Sequence, residues 1–124
     1  MIQWKIGDLE AIALSENIMI GHEQADGRTH RWITIWVVRV GDDLYVRSAD
    51  GLAEGWFHTM KGVPIHIMAD GVDRLVDLDP QADPDVRSAV DAAYRTKYGS
   101  SPFLNMLLSD SAQDGTLLMS PTDG

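Results

Sequence analysis

Cysteine is absent from this chain of 124 residues. That excludes a disulfide framework, a thiolate metal site and a cysteine nucleophile, and it fits a reducing, cytoplasmic setting. Basic residues are scarce, with 10 Lys and Arg against 19 Asp and Glu, for a formal net charge of −9. Such a surface repels phosphate backbones, so no nucleic-acid partner is expected. No apolar run is long enough to cross a membrane, and the opening Met1-Ile2-Gln3-Trp4-Lys5-Ile6 has no apolar core of a signal peptide. Repeats and low-complexity tracts are missing, as are the P-loop, the Gly-x-Ser-x-Gly elbow and the His-Glu-x-x-His pattern. The four histidines, His22, His30, His58 and His66, have no metal-ligand spacing, so no metal is expected.

What is present centres on Thr34–Ser48, TIWVVRVGDDLYVRS. Thr34 to Val40 is rich in β-branched and aromatic residues, Gly41-Asp42-Asp43 is turn chemistry, and Leu44 to Ser48 reads as a second strand. A period of two puts Thr34, Trp36, Val38 and Val40 on one face and Ile35, Val37 and Arg39 on the other. In the second strand Tyr45 and Arg47 oppose Leu44, Val46 and Ser48. Apolar residues on both faces predict a hairpin inside a closed or covered sheet.

Elsewhere, Asp8 is the expected cap of a short helix reaching Ser15, followed by a strand over Ile18–His22. Asp26-Gly27 signals a hairpin turn, leading into a strand from Thr29 to Val40. That length predicts a bend or bulge near Arg31-Trp32. Ala53–Lys61 is expected to hold one helical turn packing Trp56, Phe57 and Met60. Strands at Val63–Ala69 and Val72–Leu78 flank a second Asp-Gly turn, Asp70-Gly71. Asp83-Pro84-Asp85 is a strong helix start, with Val86, Val90, Ala93, Tyr94 and Lys97 at helical spacing and Gly99 as the stop. A short helix follows from Pro102 to Leu108, then a strand over Thr116–Met119 and a tail from about Pro121. This order predicts a single mainly β (α+β) domain over residues 1–124: a six-stranded antiparallel split β-barrel with flanking helices. Trp36, Val38, Val46, Ile65 and Ile67 are its expected core.

The run Trp36–Ser48, followed by Gly55-Trp56-Phe57-His58, resembles the FMN-binding split-barrel superfamily. Within it, the chain is most similar in pattern to an uncharacterised bacterial family defined as a domain of unknown function, which shares Ala93–Gly99 and a terminal strand like Thr116-Leu117-Leu118. A more distant resemblance is to the deazaflavin-dependent nitroreductases. Gly55-Trp56-Phe57 matches the front of their Gly-Trp-Tyr-x-Asn-Leu stretch, whereas Thr59-Met60-Lys61-Gly62 stands in place of the Asn-Leu and Asn-Pro that follow. Asp26-Gly27-Arg28-Thr29 is a shortened counterpart of their phosphate loop.

The resemblance implies FMN or a deazaflavin as cofactor and an oxidoreductase acting on a small molecule. It also implies a homodimer with the cofactor at the joint. Arg47 and Ser48 would hold the phosphate; alternatively Arg47 is an outer-face arginine paired with Asp42, Asp50 or Glu54. Trp56, Phe57 and His58 would wall the ring, with His58 as candidate proton donor; alternatively they plug one barrel mouth. Tyr94 and Lys97 would cover a ligand, or pack their helix on the barrel. A cofactor-free barrel that binds a small ligand or serves as an assembly module is the competing function. Its case is the shortened phosphate loop and the acidic surface.

Overall fold

Seven antiparallel strands form one sheet in the computed structural model, which describes residues 3–23, 29–60 and 62–122. In chain order the elements are α1 (Ile6–Leu14), β1 (Ile18–Glu23), β2 (Thr29–Ile35), β3 (Val38–Val40), β4 (Asp43–Arg47), α2 (Gly55–Met60), β5 (Ile65–Ala69), β6 (Val72–Pro80), α3 (Pro84–Tyr98), α4 (Leu104–Leu107), α5 (Asp110–Asp114) and β7 (Thr116–Pro121). The sheet order is β2-β1-β5-β6-β7-β4-β3.

The count of seven corrects the expected six, and the reason is local. The long strand predicted over Thr29–Val40 is interrupted at Trp36-Val37. Its two halves, β2 and β3, lie at opposite ends of the sheet order, so one stretch of chain serves both edges. The expected irregularity near Arg31-Trp32 is also there. Ile20 faces Ile33 while His22 faces His30, which leaves one extra residue on β2.

The interruption frees backbone groups that a ladder would have satisfied. Side chains from the end of α3 satisfy them instead. The Tyr98 hydroxyl accepts from the Val37 N–H at 3.2 Å and donates to the Glu16 carbonyl at 2.6 Å. Lys97 Nζ donates to the carbonyls of Val37 (2.8 Å) and Ser15 (2.6 Å). Trp36 stacks on Tyr98, with centroids 4.0 Å apart and planes within 2°.

The period-two reading of the central hairpin matches the packing. Ile35, Val37, Leu44 and Val46 point into the barrel with Ile18, Ile20, Ile67, Leu117 and Met119. Val38 and Tyr45 point outward into a second core with Val90, Tyr94, Tyr98 and Leu118. α3 therefore covers the outer apolar face within the same chain. Val38, Val46, Ile65 and Ile67 are buried, as expected of the core, while Trp36 is only half-buried.

Other boundaries moved. α1 begins at Ile6 after Lys5, so Asp8 lies in its first turn and pairs with Arg74 at 3.1 Å rather than capping. Asp83 caps α3 as expected, its carboxylate accepting from the Asp85 N–H at 2.8 Å. β7 reaches Pro121, opposite Val76, where a tail was expected. At Asp70-Gly71 both residues have positive φ (30° and 83°), the backbone this two-residue turn requires. The Asp26-Gly27 turn lies outside the described residues. Among those described, no helix is long and apolar enough to cross a membrane.

Candidate functional site

Three elements and the strand break converge on one groove. Ile35 and Trp36 line it from the end of β2, Trp56 from α2, and Phe103, Met106 and Leu107 from the α4 region. Asn17, Arg47, Ala49 and Asp50 also line it, and its volume is about 340 Å³. Trp36 and Trp56 are half-buried, while Phe103 and Met106 are 64% and 55% exposed. Apolar and aromatic walls with a few polar groups are the usual build of a small-molecule site.

Arg47 is reached through β4, whose alternation turns its side chain outward under α3. It is fully buried and its fork is largely committed. Nε donates to Thr116 Oγ1 (3.0 Å), Nη1 to Asp91 Oδ1 (2.5 Å) and the Leu107 carbonyl (2.9 Å), and Nη2 to the Arg87 carbonyl (3.0 Å). Its guanidinium carbon also lies 5.4 Å from the centroid of the Tyr94 ring. The ion-pair partner is Asp91, not Asp42, Asp50 or Glu54. A guanidinium has five N–H groups, so one, on Nη2, is without a partner among the described residues.

Ser48, the next residue, turns the other way. Its side chain is fully buried, and its hydroxyl has no hydrogen-bond partner among the described residues. The position that a Cβ on Gly55 would take lies 3.2 Å from Ser48 Oγ and 3.2 Å from Asp50 Oδ2. Gly55 has φ +77°, a conformation disfavoured for any other residue, and a Cβ there would press on both oxygens.

The remaining sequence candidates lie elsewhere. Phe57 packs into the barrel and lines a different cavity, of about 540 Å³, with Val63, Pro64 and Leu75. His58 is exposed and does not line the Trp36–Trp56 groove. Tyr94 is fully buried between Trp36, Tyr98 and Arg47. Burial pushes the pKa of its hydroxyl upward, and the nearby Arg47 opposes the shift. Lys97 holds the strand break and lines two adjoining grooves. Burial lowers its pKa to about 8, against a smaller pull upward from Glu16. Arg47 and Trp56 thus line one groove, while Ser48, Phe57, His58, Tyr94 and Lys97 do not line it.

Trp36, Asp50, Phe103 and Met106 are among the groove residues that the sequence did not single out for a site. Trp36 reads as core because its neighbours at period two are core. The signal for the others was thin: Phe103 follows Ser101-Pro102, an irregular stretch in which a large exposed ring is unusual. Among the described residues, no group of three or more His, Asp or Glu is arranged to hold a metal ion.

The chain belongs to a family of uncharacterised proteins conserved in bacteria, DUF2255, which it matches over residues 8–119. No curated protein matches it in sequence. Solved structures share the fold at low identity. A conserved hypothetical protein from Mycobacterium tuberculosis superposes with a TM-score of 0.63 at 8% identity, covering 100% of this chain and 83% of the other. HutZ, a heme storage protein from Vibrio cholerae, gives 0.61 at 12% identity, covering 99% and 93%. An FAD and heme binding protein from Mycobacterium smegmatis gives 0.54 at 14%, covering 97% and 75%. These likenesses establish a split-barrel-like α+β fold.

Proposed function

We propose that this member of the family is a ligand-binding split barrel that takes a flat conjugated ring between Trp36 and Trp56. The carrying observation is that two indoles, Phe103 and Met106 line one groove of about 340 Å³. Flat rings bind such walls by stacking and apolar contact. Fold relatives named for heme storage and for FAD and heme binding also handle flat conjugated ligands.

A flavin or deazaflavin fits this groove by its ring and not by its phosphate. Four of the five N–H groups of Arg47 are engaged within the protein, and its charge is met by Asp91. The lining keeps one carboxylate, Asp50, that has no ion-pair partner among the described residues. The second reading is a flavin- or deazaflavin-dependent oxidoreductase acting on a small molecule, and the aromatic walls favour it. A bound flavin would supply the redox chemistry, with Trp36 and Trp56 orienting its ring.

Titration separates the two. Riboflavin and FMN should bind within about threefold of each other, because the phosphate adds no contact. Trp56→Ala should weaken both by about 1–3 kcal/mol, the scale of a lost stacking partner. FMN binding at least tenfold tighter than riboflavin would establish the phosphate-holding reading. Absence of binding for both at high micromolar concentration would remove the groove as a ring site.

A homodimer is part of this proposal. The apolar outer face of β3 does not argue for it, since α3 covers that face. Phe103 and Met106 do, because a second copy over them would shield exposed apolar surface and close the groove's open side. Light scattering at micromolar protein should give twice the 13.7 kDa chain mass. A monomer mass would reject the dimer.

A further inference from the structure

The polar end of the Trp36–Trp56 groove is built to accept hydrogen bonds rather than to hold an anion. Asp50 lines the groove and has no ion-pair or hydrogen-bond partner among the described residues. The one cation in the lining, Arg47, is already neutralised by Asp91.

We infer that the groove selects a flat heteroaromatic ligand that is cationic or bears N–H donors on one edge. Asp50 receives that edge, and a phosphate on the ring gains no contact there. A carboxylate accepting from a cationic N–H makes a stronger bond than a neutral pair. A ligand phosphate in the same place would face Asp50 with only one unclaimed N–H of Arg47 to answer it. The whole chain carries a net charge of −9, which adds a nonspecific attraction for cations that the test must separate out.

This inference rests on the groove being the ring site, and the probes keep the two questions apart. Proflavine, a flat cationic tricycle with amino groups on its edge, is titrated by fluorescence beside riboflavin, which is neutral, and FMN, which is anionic. Proflavine should bind at least tenfold tighter than riboflavin at moderate salt, and FMN no tighter than riboflavin. Asp50→Asn, a change at an exposed position, should cut proflavine affinity at least fivefold and leave riboflavin within twofold. Glu54→Gln removes a nearby exposed carboxylate outside the groove lining and should leave the proflavine preference intact. If both rings bind without preference for the cation, or if Glu54→Gln lowers the preference as much as Asp50→Asn, the inference is overturned while the groove survives as a ring site. If no ring binds, the groove itself is not the site, and the inference falls with it.

Discussion

Arg47→Ala should destabilise the protein by about 3–5 kcal/mol, the range for removing one partner of a buried ion pair. The Arg47 side chain is wholly inaccessible and that of Asp91 only 15% exposed, so the carboxylate left behind cannot recover its hydration. The loss extends beyond the pair. One guanidinium ties β4 to β7 through Thr116, to α3 through Asp91 and the Arg87 carbonyl, and to α4 through the Leu107 carbonyl. Arg47→Lys should recover little, because a point charge cannot reproduce a fork reaching three elements. The double change Arg47→Met with Asp91→Leu should recover most of the loss, since replacing both buried charges by apolar groups is often near neutral. Urea denaturation measures all three. A loss below about 1 kcal/mol for Arg47→Ala would mean that the guanidinium is not holding these elements together.

Stability should fall steeply above pH 10. Burial raises the Tyr98 hydroxyl to about 12 from its ordinary 10.0, with the Val37 hydrogen bond acting the other way. Tyr94 and Tyr45 are raised by burial as well. For a group whose pKa is raised on folding, the folded chain holds the extra proton between the two values. The stabilisation is therefore complete below pH 10 and lost as pH climbs toward 12. Tyr98 alone contributes on the order of 2–3 kcal/mol over that window. Lys97 has the opposite sign. Its pKa is lowered on folding to about 8 from 10.5, so the unfolded chain holds the extra proton and stability rises between those values. The expected profile is flat or gently rising from pH 8 to 10 and then falling. Tyr98→Phe should lower stability at pH 8, through the lost bonds to Val37 and Glu16, yet flatten the decline above pH 10. A Tyr98→Phe variant that loses as much stability as the wild type between pH 10.5 and pH 12 would contradict the burial of the Tyr98 hydroxyl.

Much of the architecture was legible because its causes are local. The Asp83-Pro84-Asp85 start, the Asp70-Gly71 turn and the alternation of Leu44 to Ser48 each fix backbone or facing within a few residues. The break at Trp36-Val37 was not legible. No glycine or proline marks it, and the groups that stabilise it, Lys97 and Tyr98, lie about 60 residues away. Reading across the break turned one bent stretch into one strand and gave six instead of seven. The same distance hid the partner of Arg47. The sequence offers Asp42, Asp50 and Glu54 nearby, while the fold delivers Asp91 from α3. Asp50, with no ion-pair partner among the described residues, gives the groove its charge because Arg47 is paired with Asp91 of a distant element. Ser109, whose side chain caps α5 by accepting from the Ala112 N–H, was a local signal left unread in Ser109-Asp110. The end of β7 was misplaced because Pro121 reads as a stop, although a strand's last position tolerates proline where no ladder donor is needed.

The most direct test of the account is a crystal structure of the protein with riboflavin or proflavine bound. The account predicts ring density between Trp36 and Trp56, beneath Phe103 and Met106, with the donor-bearing edge toward Asp50. Ring density in the Phe57–Leu75 cavity, with the Trp36–Trp56 groove empty in the same crystal, would contradict it.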